Sequence, residues 1–293
     1  MLLPPSAAAT ARRSGRLARF GTFTRRNPTL VLGLALLILL TIAAVAAPVL
    51  GTTDPIAIDV INRLHAPSAE NWFGTDMMGR SLYSRVIYGG RISLIVGLSV
   101  AALATVIGLV IGLLAGYVGW FDTVVMRIMD GLMAIPSILL AIALMALAGS
   151  SLHNVIIAIT IPEIPRMTRL VRSMVLSVRE EPFVEAAVAS GTKAVRIVRR
   201  HILPMTLTPL IVQATYICAH AIIAEAYLSF LGAGTPPEIP SWGNIVAEGR
   251  AYFTVAPWLV LFPSIFLALT VLAVNVFGDG LRDTLDPRMA RRM

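Results

Sequence analysis

One stretch of this chain combines residue types and spacing suited to transmitting force. It runs Glu181-Pro-Phe-Val-Glu-Ala-Ala-Val-Ala-Ser-Gly-Thr-Lys-Ala-Val-Arg-Ile-Val-Arg-Arg-His-Ile-Leu-Pro204. Pro182 suits a first helical turn, where its missing N–H costs nothing. Glu185 favours the same positive helix end. Ala186, Ala187 and Ala189 are small, so another backbone can approach closely. Gly191 permits the left-handed residue that ends a helix, and Thr192 is placed to cap a second one. That second helix carries Val195, Ile197 and Val198 beside Lys193, Arg196, Arg199 and Arg200, and Pro204 is expected to turn the chain after it. A short helix, a sharp turn and a basic return helix fit a lever for docking a cytosolic protein. The plainer alternative is a basic loop that only fixes topology.

A second set consists of acids in or beside apolar runs: Asp130, Glu163 and Glu225. Intramembrane acids are expensive and mark pathways or proton carriers by default. Asp130 lies one turn from Arg127, and Glu163 lies near Arg166, so ion pairs are expected for both. Glu225 has no basic neighbour in its helix. It is the candidate for the translocation path or for pairing with another subunit.

Other chemistries lack their residues. The single lysine, Lys193, follows Thr192, so no Gly-Lys-Ser/Thr phosphate loop exists. There is no His-Glu-x-x-His, no Cys/His cluster for a metal and no Gly-x-Ser-x-Gly elbow. His65, His153, His201 and His220 are scattered, and no catalytic residue is assigned. The one cysteine, Cys218, sits in an apolar run as an inert packing residue.

These residues must be held by membrane helices. Of 293 residues, 57% are hydrophobic and only 14% are charged, with mean hydropathy +0.80. Soluble domains carry about a quarter charged residues. A span needs about 20 mostly apolar residues. The sequence predicts six spans, near residues 28–50, 92–117, 123–148, 152–173, 203–231 and 256–278, preceded by a basic tail at 1–27, with the lever at 180–203 between spans four and five. The fourth is short before Pro162 and Pro165. Charge supports it, because six spans with the N-terminus inside place most of the 24 Lys and Arg on cytoplasmic segments. Both termini are then cytoplasmic. The net charge of +8 reads as membrane topology rather than nucleic-acid binding.

Gly108, Gly112 and Gly116 form a small-residue stripe in span two. It serves either a subunit interface or packing within the chain. The outer segment after Asp54 holds Trp72, Tyr83 and Tyr88, as a pore cap or an interfacial scoop. A second outer segment is stiffened by Pro236, Pro237 and Pro240.

Glu185-Ala186-Ala187, then Gly191, then Ile202-Leu203-Pro204 resembles the EAA loop of ABC importer permeases. The resemblance extends to residues 72–94, to Arg127–Asp130 with Pro136, to residues 228–232 with Ser241-Trp-Gly243, and to residues 278–287. Together these resemble the dipeptide/oligopeptide/nickel permease family, second permease type; Ser81 stands where that pattern often has Asp. The resemblance implies an all-α, MetI-like type I architecture. It implies a bacterial inner-membrane location, a non-identical partner permease, two ATPase subunits that hold ATP and Mg, and an outer solute-binding protein. Glu185, Ala186, Ala187, Gly191, Thr192, Lys193, Ile202, Leu203 and Pro204 would couple to the ATPase, the contact running from Glu185 to about Arg196 with Gly191 at the turn, and peptides would be the cargo. The rival reading is an ion-coupled secondary transporter using Asp130, Glu163 or Glu225.

Overall fold

The computed structural model describes residues 27–285. The expected basic tail, apart from Asn27, and the basic C-terminal residues Arg288, Arg291 and Arg292 lie outside the described residues. Among the described residues the chain is helical, with one isolated antiparallel bridge, Thr75 to Ser81. The helices are α1 (Pro28–Val45), α2 (Leu82–Tyr117), α3 (Gly119–Ala134), α4 (Ser137–Ala148) and α5 (Leu152–Arg179). They continue with α6 (Pro182–Ala189), α7 (Ala194–Ile197), α8 (Leu203–Phe230), α9 (Trp242–Gly249) and α10 (Trp258–Leu285).

The helices α1, α2, the continuous run of α7 and α8, and α10 are each long and apolar enough to cross a bilayer. The bent pair of α3 and α4 makes a fifth crossing when its arms are taken together. α5 has 28 residues. At 1.5 Å per residue it is about 42 Å long, enough to span. Its apolar character is diluted by Glu163, Arg166, Arg169 and Arg172, which is why the fourth span looked weak in sequence. It stays helical through Pro162 and Pro165.

The expected third span is not one rod. α3 and α4 meet at 92° across Ile135 and Pro136. A proline disfavours the helical region for the residue before it, and Ile135 is extended at φ −91°, ψ 129°. The helix that carries the second expected span, near 92–117, starts about ten residues before it. α2 begins at Leu82, capped by Ser81, whose Oγ accepts from the Ser84 N–H at 3.4 Å. The arginines that looked like a helix boundary are absorbed. Arg91 donates to the carbonyls of Ala44 and Val45 at 2.6 and 2.8 Å, and Arg85 is buried.

The glycine stripe of α2 packs within the subunit. A Cβ added at Gly108, Gly112 or Gly116 would fall 2.5–2.6 Å from the Cβ of Met167, Val171 or Val175 of α5. Four-residue spacing on both helices keeps the contact in register for two turns. Around this seam lies the main core, which includes Val100, Ala104, Ile159, Ile217 and Ile222. Many large apolar side chains remain outward, as at Leu39, Leu98, Val106 and Leu147. Hydrocarbon is their solvent, so exposure there carries no hydrophobic penalty.

At the end opposite α6, residues 54–81 fold over the bundle as a packed cap. Asp76 accepts from Arg80 Nε at 2.6 Å and from Arg85 Nη1 at 2.5 Å. Glu248 of α9 accepts from Arg80 Nη2 at 2.7 Å and from Arg85 Nη1 at 2.6 Å. Phe73 stacks on Phe262 of α10 at 4.1 Å, and Trp242 Nε1 donates to the Val86 carbonyl at 2.9 Å. Trp72 itself stays largely exposed. In the second loop, Asn244 Nδ2 donates to the carbonyls of Thr235, Pro236 and Ile239 and to Thr235 Oγ1.

Candidate functional site

The lever forms as a helical elbow. α6 starts with Pro182 in its first turn, and Glu185 is exposed. It ends in a Schellman motif: the Thr192 N–H donates to the Ala187 carbonyl at 3.1 Å, and the Gly191 N–H to the Val188 carbonyl at 2.9 Å. Gly191 takes φ +73°, and nothing lies within 4 Å of where a Cβ would stand. Any L-residue there pays only backbone strain, about 1–2 kcal/mol. Gly191→Ala is therefore expected to lower elbow stability by about that amount without a clash. Faster amide exchange at residues 187–192, with α2 and α5 unchanged, is the measurement that checks it.

Two expectations for the return arm are corrected. Thr192 does not cap α7: Lys193 is the N-cap residue, with no side-chain hydrogen bond. Thr192 is already committed to the Schellman turn through its N–H. Nor does Pro204 turn the chain. α7 passes through one π-helical turn, Val198–Ile202, into α8 as a single run of 37 residues. A proline removes one N–H and crowds the carbonyl four residues earlier. The wider turn, with Leu203 N–H bonded to the Val198 carbonyl, takes up that misfit without a bend.

The elbow is held from one side and open on the other. Val184, Ile197 and Ile202 are buried in the same cluster as Val178 of α5. Arg179 Nη1 donates to the Gly116 carbonyl at 2.8 Å, and its guanidinium lies 5.3 Å from the Tyr117 ring centre, tying the elbow to the end of α2. Outward stand Glu185 and Ala186, with Ala187 half-buried, beside the exposed Phe183, Val188 and Val195. Lys193, Arg196, Arg199 and Arg200 border a concavity with Val195 and Pro204. Leu203 is half-buried in the run that follows. The elbow thus presents exposed apolar side chains rimmed by charge.

The acids separate into three environments. Asp130 does not pair with Arg127. Its partner is Arg169 of α5 at 2.5 Å, and Asp122 pairs with Arg172 of α5, so both acids of α3 clamp the bent arm onto α5. Glu225 has no exposed surface, and its Oε1 accepts from Ser229 Oγ at 2.8 Å and Ser241 Oγ at 2.7 Å. It is enclosed by its own chain and joins α8 to the start of α9. Glu163 does reach Arg166, at 3.5 Å, and also lies 3.1 Å from His220 Nδ1. It borders a cavity of about 370 Å³ between α4, α5 and α8, lined by Ile138, Ile159, Pro162, Tyr227 and Phe230 among others. Sequence reading missed that cavity. The signal available was two prolines flanking Glu163 in an otherwise apolar stretch.

A bundle of apolar helices with an amphipathic elbow exposed between its fourth and fifth long segments is the architecture of a transport permease. Its fold is similar to the MetNI methionine ABC transporter in an inward facing conformation, with TM-score 0.56, 22% identity, and coverage of 69% of this chain and 96% of that one. Residues 104–291 match the family described as binding-protein-dependent transport system inner membrane component, and residues 23–67 match the N-terminal TM domain of oligopeptide transport permease C. The chain belongs to the binding-protein-dependent transport inner membrane component family. It is 53% identical to the probable peptide ABC transporter permease protein y4tQ of Sinorhizobium fredii, over 98% of this chain and 99% of that one. It is 46% identical to the dipeptide transport system permease protein DppC of Alkalihalophilus pseudofirmus (90% and 88%). It is 42% identical to the glutathione transport system permease protein GsiD of Escherichia coli (91% and 88%). It is an ABC importer permease, and the reading as an ion-coupled secondary transporter is overturned.

Proposed function

We propose that this chain forms half of the translocation pathway of an ATP-driven peptide importer in the bacterial inner membrane. The observation that carries the reading is the elbow: a Schellman-ended α6 with Glu185, Phe183 and Val188 facing outward. The relatives named for peptide, dipeptide and glutathione transport support the cargo class. A second, non-identical permease completes the pathway. Two ATPase subunits bind ATP and Mg and seat the elbow. A solute-binding protein delivers cargo to the opposite end, and this chain performs no catalysis. Both termini are cytoplasmic, with residues 1–27 as a tail and residues 28–293 as the permease domain.

Mechanically, Glu185, Ala186, Ala187, Gly191, Thr192 and Lys193 form the contact, and Ile202, Leu203 and Pro204 carry its motion into α8. ATPase closure displaces the elbow, and α5 and α8 move with it, because α7 continues into α8 through the π turn and only Glu180 and Glu181 separate α5 from α6. The test exploits the buried Cys218, 6% exposed, which leaves the background unreactive. A cysteine introduced at Val188, 57% exposed, is expected to cross-link to the ATPase in the assembled complex. Glu185→Arg is expected to lower ATP-dependent peptide uptake about tenfold or more, since reversing a contact charge costs upwards of 1.4 kcal/mol. No cross-link, or full uptake by Glu185→Arg, sinks the reading.

A further inference from the structure

Among the described residues, Glu163 is the least satisfied buried charged group that borders a cavity. Its side chain is 1% exposed, and neither carboxylate oxygen has a hydrogen-bond partner. Arg166 reaches Oε2 only at 3.5 Å, from a side chain that is 47% exposed, and His220 Nδ1 sits 3.1 Å from Oε1 without the alignment of a hydrogen bond. An ionised carboxylate has about four acceptor sites. Burying it without those bonds costs desolvation energy that the half-exposed Arg166, 3.5 Å away, offsets only in part. Pro162 and Pro165 add to the excess of acceptors. Each lacks an N–H, so the carbonyls of Ala158 and Ile161 lose their usual helical donors.

The adjoining cavity, about 370 Å³, is walled by Ile138, Ala141, Ile159 and Leu228, with the rings of Tyr227 and Phe230 at its border. Apolar walls around a few polar groups are the usual form of a small-molecule site. A group that matches must bring several N–H donors, a positive charge and a short apolar stem. A primary ammonium does all three, and aromatic faces favour it further. His220, with its side chain 40% exposed, covers Oε1 from the cavity side of α8.

We propose that Glu163 and this cavity receive the free N-terminal ammonium of a peptide in transit. The inference rests on the peptide reading above and adds a specificity residue to it. A charge-assisted hydrogen bond is worth about 1.5–3 kcal/mol, so its loss corresponds to about tenfold or more.

The test uses the whole transporter in proteoliposomes, with its binding protein loaded to saturation by either alanine oligopeptides or the same peptides N-acetylated. Saturation removes the binding protein's own preference from the measured rate. The wild-type complex is expected to move the free-amine peptides about tenfold faster. Glu163→Gln is expected to bring the ratio close to one. His220→Gln, which removes only the covering ring, is expected to keep the preference. If Glu163→Gln fails to assemble, Leu231→Lys decides instead. That position lies on the cavity wall, is 57% exposed, and places a competing ammonium in the same space, so the preference must again collapse. An unchanged ratio in Glu163→Gln or Leu231→Lys overturns the inference while leaving peptide import standing. Failure of the wild-type complex to import either peptide form overturns the peptide reading and this inference with it.

Discussion

Arg85→Leu is expected to destabilise the protein by about 3–5 kcal/mol, because it removes one of the two arginines shared by the buried Asp76 and the half-buried Glu248. The guanidinium is 1% exposed and bridges Asp76 of the cap to Glu248 of α9, with Nη2 also donating to Glu248 Oε1 at 3.1 Å. The Arg80 guanidinium holds the same two acids, reaching each once, and its backbone N–H also donates to Asp76 Oδ1 at 3.0 Å. The four charges balance, so their burial is tolerable only while all are present. Arg85→Lys is expected to recover only part of the loss, since a compact ammonium keeps the charge but lacks the planar five-donor fork that makes three bonds here. The measurement is the yield and thermal midpoint of the detergent-purified subunit. A midpoint for Arg85→Leu equal to wild type would falsify the account.

Gly112→Leu is expected to prevent α2 and α5 from pairing at all. Even the single Cβ of alanine would stand 2.6 Å from Val171 Cβ and 2.8 Å from the Thr168 carbonyl oxygen. Backbone limits the relief, so Gly112→Ala alone is expected to cost about 1–3 kcal/mol. Leucine adds three more carbons into the same gap. Two controls isolate the cause. Gly131→Ala is expected to be neutral in sterics, because nothing lies within 4 Å of its added Cβ. Combining Gly112→Ala with Val171→Ala is expected to recover stability relative to Gly112→Ala alone, the non-additivity of residues in contact. The readout is membrane-integrated chain that resists proteolysis. Equal resistance in Gly112→Leu and wild type would remove the seam from the argument.

Local features of the elbow were legible in the sequence because short-range chemistry determines them. Pro182 at a first turn and Gly191 past a last turn occupy the positions their backbones require. The return arm was harder for the same reason inverted. Whether Thr192 caps, or a π turn absorbs Pro204, depends on how Ile197 and Ile202 are pulled into the core, a tertiary effect. The bend at Ile135 had its signal in Pro136, but hydropathy averages over a break of two residues. Partners distant in sequence left no trace. Arg85 and Glu248 are 163 residues apart, and Asp130 found Arg169 across 39 residues rather than Arg127 one turn away. Glu225 stood out for lacking a basic neighbour, and the explanation is two hydroxyls, one of them from Ser241, 16 residues on. The Gly108–Gly116 stripe was recognisable as a contact surface, yet its choice of α5 over another subunit required coordinates.

The two helices that emerge from the elbow, α5 and α8, are also two of the three that wall the cavity beside Glu163. Grip and keyhole thus share one shaft. A twist applied at the handle would reach the lock as rotation of the very surfaces that shape its opening, since only Glu180 and Glu181 part α5 from α6 and the run of α7 into α8 is unbroken. Cargo seated there would in turn stiffen the handle, so that an occupied lock is felt by whatever holds the grip.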